Sequence, residues 1–252
     1  MIKSLNICLI VLLTAMACQS PDSGKKVDAE SAVVNESAKA RLDSTLQALL
    51  DSGKVVGISA LIFEKGQEVY FKAAGFADRE ANTPMDRNTI VRIFSMTKPI
   101  TGAALMKLHE QGAFQLDDPI SKYAPEFSDM KVFTGVDATG KILTEPAKRP
   151  ITIRDVTRHT AGFANGDHHE LGGLVERADV MDFQNTLAQM AQKLAALPLA
   201  FHPGDQWSYG ISVDVQAYLV ERISGQPFDK FVRENILDPL EMSTTRYVVP
   251  EN

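Results

Sequence analysis

The chain has 252 residues, 44% of them hydrophobic and 23% charged, the composition of a globular domain rather than of a disordered or fibrous chain. Its formal net charge of -6, without a Lys/Arg cluster, excludes a nucleic-acid partner, which needs a positive face. Both cysteines, Cys8 and Cys18, fall in the first eighteen residues, so disulfides, cysteine catalysis and thiolate-zinc sites are excluded from the folded body.

Lys3 followed by the apolar run Ile7 to Ala17 reads as a secretion signal over residues 1–17, too short to span a bilayer. The ending Ala15-Met16-Ala17-Cys18 resembles a bacterial lipobox. It implies cleavage before Cys18, a lipid on its sulfur as the one link to a membrane, and a periplasmic or outer-membrane-anchored protein. Residues 18–36 are polar and small, with Pro21, Gly24, Lys25 and Lys26, and read as a flexible tether.

Leu42, Leu46, Leu49 and Leu50 fall at helical spacing, so Ala38 to Leu50 is predicted as an amphipathic helix stopped by Gly53. Val55 to Phe63 and Glu68 to Phe76 are β-rich runs, and Lys65-Gly66-Gln67 between them suits a hairpin. Ile90 to Phe94 is a short apolar run, expected as a strand. The next helix carries Ile100, Ala103, Ala104, Met106 and Leu108 and stops at Gly112, which puts Ser95 between strand and helix. Thr134 to Pro150 is rich in breakers and is predicted as loops with short helices. Thr152, with Asp155 three residues on, marks a capped helix start. Further helices are predicted at Val180 to Leu197, closed by Pro198, at Val213 to Ile223, and at Phe228 to Ile236 with Gly225 before it.

Chemistry concentrates at Ser95-Met96-Thr97-Lys98. A serine hydroxyl needs a base to take its proton as it attacks a carbonyl, and positions i and i+3 share a helix face, so Lys98 reaches Ser95. Apolar neighbours such as Ile100 and Phe94 are expected around that amine, and a helix N-terminus would stabilise an oxyanion. Ser23…Lys26 and Ser128…Lys131 repeat the Ser-x-x-Lys spacing without a strand and long helix around them. On spacing alone Ser95 reads equally as a capping serine before a solvated lysine. Phe201 to Tyr209 is a turn-rich approach to a later helix. Tyr209 at its mouth reads either as a proton shuttle, its phenolate favoured by nearby positive charge, or as a half-buried aromatic with a satisfied hydroxyl.

Taken in order, Ser95-Met96-Thr97-Lys98-Pro99, Leu116-Asp117-Asp118-Pro119 with Tyr123 and Pro125, Ile151-Thr152-Ile153-Arg154-Asp155 leading to His159-Thr160-Ala161-Gly162, Pro203-Gly204 with Trp207-Ser208-Tyr209, and Pro239-Leu240-Glu241-Met242 resemble the serine beta-lactamase and penicillin-binding-protein superfamily. The likeness runs from Ala38 to Pro250 and is strongest toward its class C beta-lactamase-like and family VIII carboxylesterase branch. It implies an α+β fold (an α/β sandwich), with an antiparallel sheet flanked by helices and a mainly helical subdomain at about 115–226.

Carried over by position, it implies Ser95 as the acylated nucleophile, Lys98 as its proton partner and Tyr209 as the general base of a Tyr-x-Asn element. Ile211 stands where that asparagine belongs, which tilts the expectation from beta-lactamase or D-alanyl peptidase toward esterase. The family's third element, a Lys-Thr-Gly-like or His-x-Gly-like strand, is expected beyond Asn252, so residues 37–252 read as a C-terminally incomplete domain. The resemblance implies small-molecule esters, beta-lactams or D-alanyl peptides as substrates, no cofactor or metal, and no particular oligomer.

Asp167-His168-His169-Glu170 is read as a solvated loop rather than a metal site, because adjacent residues rarely converge on one ion. His159 is read as structural and His109 as surface. Gly210-Ile211-Ser212-Val213-Asp214 lacks the second glycine of a Gly-x-Ser-x-Gly elbow, and Gly57, Gly66 and Gly75 form no phosphate loop. The rival function from another class is a non-catalytic penicillin- or peptidoglycan-binding lipoprotein.

Overall fold

A computed structural model describes residues 33–247. The proposed leader, Cys18 and most of the tether lie outside the described residues. The chain divides after Ile90 into two compact units.

In the first unit, α1 (Glu36–Asp51) starts at Asn35, whose side-chain oxygen accepts the Ala38 N–H at 3.0 Å, as an N-cap should. The tether's last residues, Val33 and Val34, donate backbone N–H groups to Glu64. β1 (Gly57–Glu64) and β2 (Gln67–Asp78) form the expected antiparallel hairpin. Its turn is Lys65-Gly66 with both φ positive, 51° and 78°, the pair of left-handed residues that matches strand twist. β3 (Thr83–Pro84) adds to the other edge of β2, giving the order β1-β2-β3. α1 packs on this sheet. Buried Leu46 and Tyr70 lie in this layer, and the Tyr70 hydroxyl donates to Asp43 at 2.8 Å.

The second unit holds the main apolar core. A 3-10 turn at Phe94–Met96 leads into α2 (Thr97–Glu110). Pro99 sits in the first turn of α2, where its missing N–H removes nothing from the hydrogen-bond ladder. The expected strand at Ile90 to Phe94 does not form. Among the described residues no partner strand reaches it, its side chains are mostly exposed, and Phe94 turns at φ 43°. Thr101, Ala104, Leu105 and Leu108 form the buried face of α2, and Gly112 closes the helix at φ 75°.

Loops were expected at Thr134 to Pro150; instead β4 (Lys131–Val136) and β5 (Ile142–Pro146) form a hairpin. Of the breakers, Gly140 lies in its turn, where Asp137 accepts from the backbone of Thr139 and Lys141, while Gly135 sits at an irregularity in the pairing and Pro146 ends β5. α3 (Ile153–Thr157) carries the predicted capping box between Thr152 and Asp155. α4 (Gly172–Ala178), which had no counterpart in the expectations, precedes α5 (Leu187–Ala195). The helix expected at Val180 to Leu197 is thus shorter. Asp179 takes a left-handed φ of 51°, the Asn185 side chain donates to the Asp179 and Val180 carbonyls, and Thr186 with Gln189 caps α5 only there.

α6 (Ser212–Ser224) is buried at Ser212 and throughout Val215 to Val220, the mark of a central helix. Gly225 ends it, and α7 (Phe228–Val232) runs on into a π-helical stretch at Arg233–Leu237, so the predicted helix from Phe228 to Ile236 forms with widened last turns. α2 packs along α6, and Gln216 of α6 ties it to α3 through the Val156 carbonyl at 3.2 Å. Among the described residues, no helix is long and apolar enough to cross a membrane.

Candidate active site

The starts of α2 and α6 meet. Ser95 in the turn entering α2, Lys98 in its first turn and Tyr209 just before α6 come together although Ser95 and Tyr209 are 114 positions apart. Ser95 Oγ lies 2.8 Å from Tyr209 Oη and accepts from Lys98 Nζ at 3.0 Å. Lys98 Nζ is also 4.8 Å from the centre of the Tyr209 ring, over its face. All three predicted site residues are therefore in mutual contact. Ser95 is not a helix cap, since the cap positions fall to Ile93 and Met96 and its hydroxyl is engaged by the other two side chains. Phe94 forms no wall beside Lys98; it is 77% exposed.

Electrostatics single out Tyr209. The Lys98 side chain first, and the Ser95 hydroxyl second, lower its phenol below the ordinary 10.0 against a small opposing effect of burial. A phenol so placed gives up its proton more readily than the other tyrosines, each of which is shifted upward, first of all by burial.

Tyr209 is held from two sides. Asn165 donates its amide to the Tyr209 carbonyl at 3.3 Å. The His159 ring stacks on the Tyr209 ring, centroids 5.2 Å apart and planes 17° from parallel, while the His159 carbonyl accepts the Ser208 N–H at 2.9 Å. Burial, and then the Lys98 charge, lower the His159 imidazole below its usual value, and its buried Nδ1 has no hydrogen-bond partner among the described residues. His159, read as structural, is thus a wall of the site. A positive φ of 59° aims it there, and no spacing rule signals that.

The loop that carries His159 is fastened underneath. Asp155 accepts from Arg149 twice, at 2.6 and 2.9 Å, and from the Thr152 backbone and hydroxyl. Burial would raise its carboxyl, but the Arg149 and Thr152 bonds outweigh this and bring it down to about 2. The Asp155 carbonyl accepts the Thr160 N–H, and the Thr160 carbonyl accepts that of Gly204, so one knot joins α3, the His159 loop and the approach to Tyr209. Gly162, at φ 90°, presses against the Phe201 carbonyl so closely that a Cβ would collide with it.

A cavity of about 270 Å³ opens beside Lys98 and Tyr209, with Ile211 in its wall. Asp214, in the first turn of α6, also lines it. Surrounding protein atoms raise the Asp214 carboxyl, opposed by a bond from its own backbone N–H and then by the Lys98 charge, although the residue is exposed. A second cavity of about 280 Å³ lies next to it, sharing Asn165 and including Trp207 and Ser208.

The Ser23…Lys26 pair lies outside the described residues, and the other sequence candidates lie apart from this cluster. Lys131 of the Ser128 pair bonds Asp129 instead. His168 accepts the Leu171 N–H and packs on Phe133, and His169 is exposed beside Glu170. Among the described residues, no group of three or more His, Cys, Asp or Glu side chains is arranged to hold a metal. His109 is half-buried against Phe114 rather than on the surface, ring centres 5.3 Å apart.

Antiparallel sheets flanked by helices, with a serine and a lysine opening one helix and a tyrosine opening another, define the serine beta-lactamase and penicillin-binding-protein superfamily. The chain belongs to the Beta-lactamase family, whose sequence model matches residues 42–252. It is 32% identical over 221 residues to esterase EstB of Burkholderia gladioli, an alignment covering 85% of this chain and 53% of that protein. It is 30% identical to a lovastatin esterase of Penicillium rubens, covering 82% and 52%. Among solved structures, EstCE1, described as a hydrolase with promiscuous acyltransferase activity, superposes with a TM-score of 0.68 at 31% identity, covering 80% of this chain and 51% of that one. The chain spans about half the length of the curated relatives it matches.

Proposed function

We propose that this chain carries the nucleophilic half of a serine hydrolase that forms an acyl-enzyme on Ser95, with esters of small molecules favoured over beta-lactams and D-alanyl peptides. The observation that carries this reading is the three-way contact of Ser95 Oγ with Tyr209 Oη at 2.8 Å and Lys98 Nζ at 3.0 Å. Hydrogen-bond reach of that kind is the first requirement of a base-activated nucleophile.

In this reading Tyr209 acts as the phenolate, the form that the Lys98 charge favours, and takes the Ser95 proton as Oγ bonds to the carbonyl carbon. Lys98 keeps its hydrogen bond to Oγ and its positive charge beside the developing negative charge. The proton on Tyr209 then passes to the leaving alkoxide, the carbonyl–alkoxide bond breaks, and an acyl-Ser95 ester remains. Water attacks that ester, gives its proton to Tyr209, and Ser95 leaves with the proton restored.

The preference for esters rests on Ile211, which offers an apolar surface where an asparagine amide would hold a lactam side chain, and agrees with the names of the esterase relatives. A leader over residues 1–17 and a lipid on Cys18 are part of the proposal, and would put the enzyme on the far side of the inner membrane.

The test is a fluorophosphonate probe followed by peptide mapping, with p-nitrophenyl acetate, a cephalosporin and a D-alanyl-D-alanine peptide assayed in parallel. Label on Ser95, lost in Ser95→Ala, with ester turnover above that of the other two is the expected result. An unlabelled Ser95 in folded protein would leave a binding protein instead.

A further inference from the structure

The cavity beside Tyr209 has a lopsided lining. Ala164, Val175, Val180, Met181, Leu194 and Ile211 make up its apolar part, and the polar remainder includes Lys98, Tyr209 and Asn165 of the candidate site and Asp214. Val180 and Leu194 are each only 2% exposed, whereas Met181 is 62% exposed. The first two are therefore a floor and Met181 a rim. The neighbouring cavity of similar size includes His168, Gln206, Ser208 and Trp207, but neither Lys98 nor Tyr209.

A carbonyl bonded to Ser95 Oγ carries its acyl chain on the carbon under attack. The two side chains that hold Oγ, Lys98 and Tyr209, also line the apolar cavity, so the first carbons of that chain start at its mouth. The described lining holds one carboxylate, Asp214, and no arginine, and its one cation, Lys98, is bonded to Ser95 and lies over the Tyr209 ring, so a second carboxylate on the substrate finds no unengaged cation there.

We infer that this cavity is the acyl site, and that it selects uncharged aliphatic acyl chains up to the length at which they meet Leu194 and Val180. The inference rests on Ser95 being the acylated residue. Each methylene that leaves water for such a wall strengthens binding about fourfold, so preference rises stepwise with chain length and then stops when the floor is reached. Val175 in α4 and Met181, neither in contact with Ser95 in the hydrogen-bond network, set the width of the channel.

The experiment compares p-nitrophenyl acetate, butyrate, hexanoate and decanoate on the purified protein, and on Val175→Phe and Met181→Ala variants checked for folding by circular dichroism. In the parent, kcat/KM is expected to climb from acetate to hexanoate and to fall at decanoate. Val175→Phe should lower the hexanoate-to-acetate ratio at least tenfold, and Met181→Ala, which strips apolar surface from the rim and leaves the floor in place, should lower that ratio without moving the maximum. A parallel series of butyrate esters with different alcohols should keep its order in both variants. Ratios unmoved in folded variants, or a change in alcohol preference in place of acyl preference, overturn the inference.

A measurement free of turnover separates it from the catalytic reading. In Ser95→Ala, calorimetric binding of hexanoate should exceed that of acetate at least tenfold, and Val175→Phe should abolish the difference. If Ser95 takes no fluorophosphonate, the hydrolase reading falls, and this carboxylate ratio alone then upholds or overturns the apolar chain site.

Discussion

Asp155→Asn is the perturbation whose size follows most directly from the structure. The carboxylate is 2% exposed and accepts five hydrogen bonds: two from Arg149, two from Thr152 and one from the Thr160 hydroxyl at 3.2 Å. Asparagine turns one oxygen into a donor, which faces an Arg149 N–H whichever way the amide is placed. That charge-assisted bond is lost and set donor against donor, and the bonds that remain lose the carboxylate charge; charge-assisted bonds contribute about 1.5–3 kcal/mol each. The Arg149 side chain is 42% exposed, so water recovers part of the loss. A net destabilisation of about 3 kcal/mol is expected, or a fall in Tm of about 6–12 °C for a domain of this size.

The pH dependence provides the sharper check. Asp155 sits at about 2 in the folded chain against an ordinary 3.8, so its ionised form stabilises the fold by about 2 kcal/mol. Because the folded value is the lower one, that stabilisation is present in full above the unfolded value and is lost as pH falls through about 2. Urea unfolding of both proteins should show a gap that is constant from pH 7 to 5 and closes steadily below pH 4. A gap that stays the same down to pH 3, or one below about 0.5 kcal/mol at neutral pH, would refute the claim that this buried carboxylate fastens the His159 loop.

Other outcomes can be measured as readily. A tyrosinate absorbance titration should show one of the five tyrosines ionising ahead of the rest. That early step should vanish in Tyr209→Phe, and in Lys98→Gln it should move back toward the others, since Lys98 is the chief cause of the lowering. Tyr209→Phe should reduce ester kcat about 10²–10⁴-fold with little change in Tm, because the side chain is half exposed and its hydroxyl bonds only within the site. Gly162→Ala should destabilise by about 2 kcal/mol or more on thermal melting, since φ is 90° and the added carbon meets the Phe201 carbonyl. Leu105→Ala, at a fully buried position of α2, should lower stability by about 2–5 kcal/mol in chemical denaturation.

What could be read from the residues in advance follows a physical divide. α1, α2 and α6 and the β1–β2 hairpin declare themselves through local periodicity and the residues that stop them, and so does the Thr152–Asp155 capping box. Three errors have a common cause, the dominance of partners distant in sequence or of side chains bonding their own backbone. The β4–β5 hairpin was hidden by Gly135, Gly140 and Pro146, which interrupt the pattern without preventing pairing. Val180 to Thr186 has the hydrophobicity of a helix, yet Asn185 takes two backbone carbonyls away from it. Ile90 to Phe94 has the composition of a strand and no strand beside it. At the site, Ser95 and Lys98 are visible as a pair one helical turn apart, but three Ser-x-x-Lys pairs compete on spacing. Tyr209 and His159 join them only through the packing of α6 on α2 and through a left-handed backbone at His159, neither of which periodicity encodes.

The seating of one helix against the other has a consequence for how such a protein changes over time. Ser95 and Tyr209 each stand at the head of a helix, and the spacing between their hydroxyls is inherited from the packing of α2 along α6. Residues that shape the neighbouring hollow, by contrast, come from short helices and turns such as α4 and the stretch around Met181. On the proposed function, new acyl preferences arise by exchanging those outer pieces while the Ser95–Tyr209 distance stays locked, and a change in the packing of the two helices silences every substrate at once.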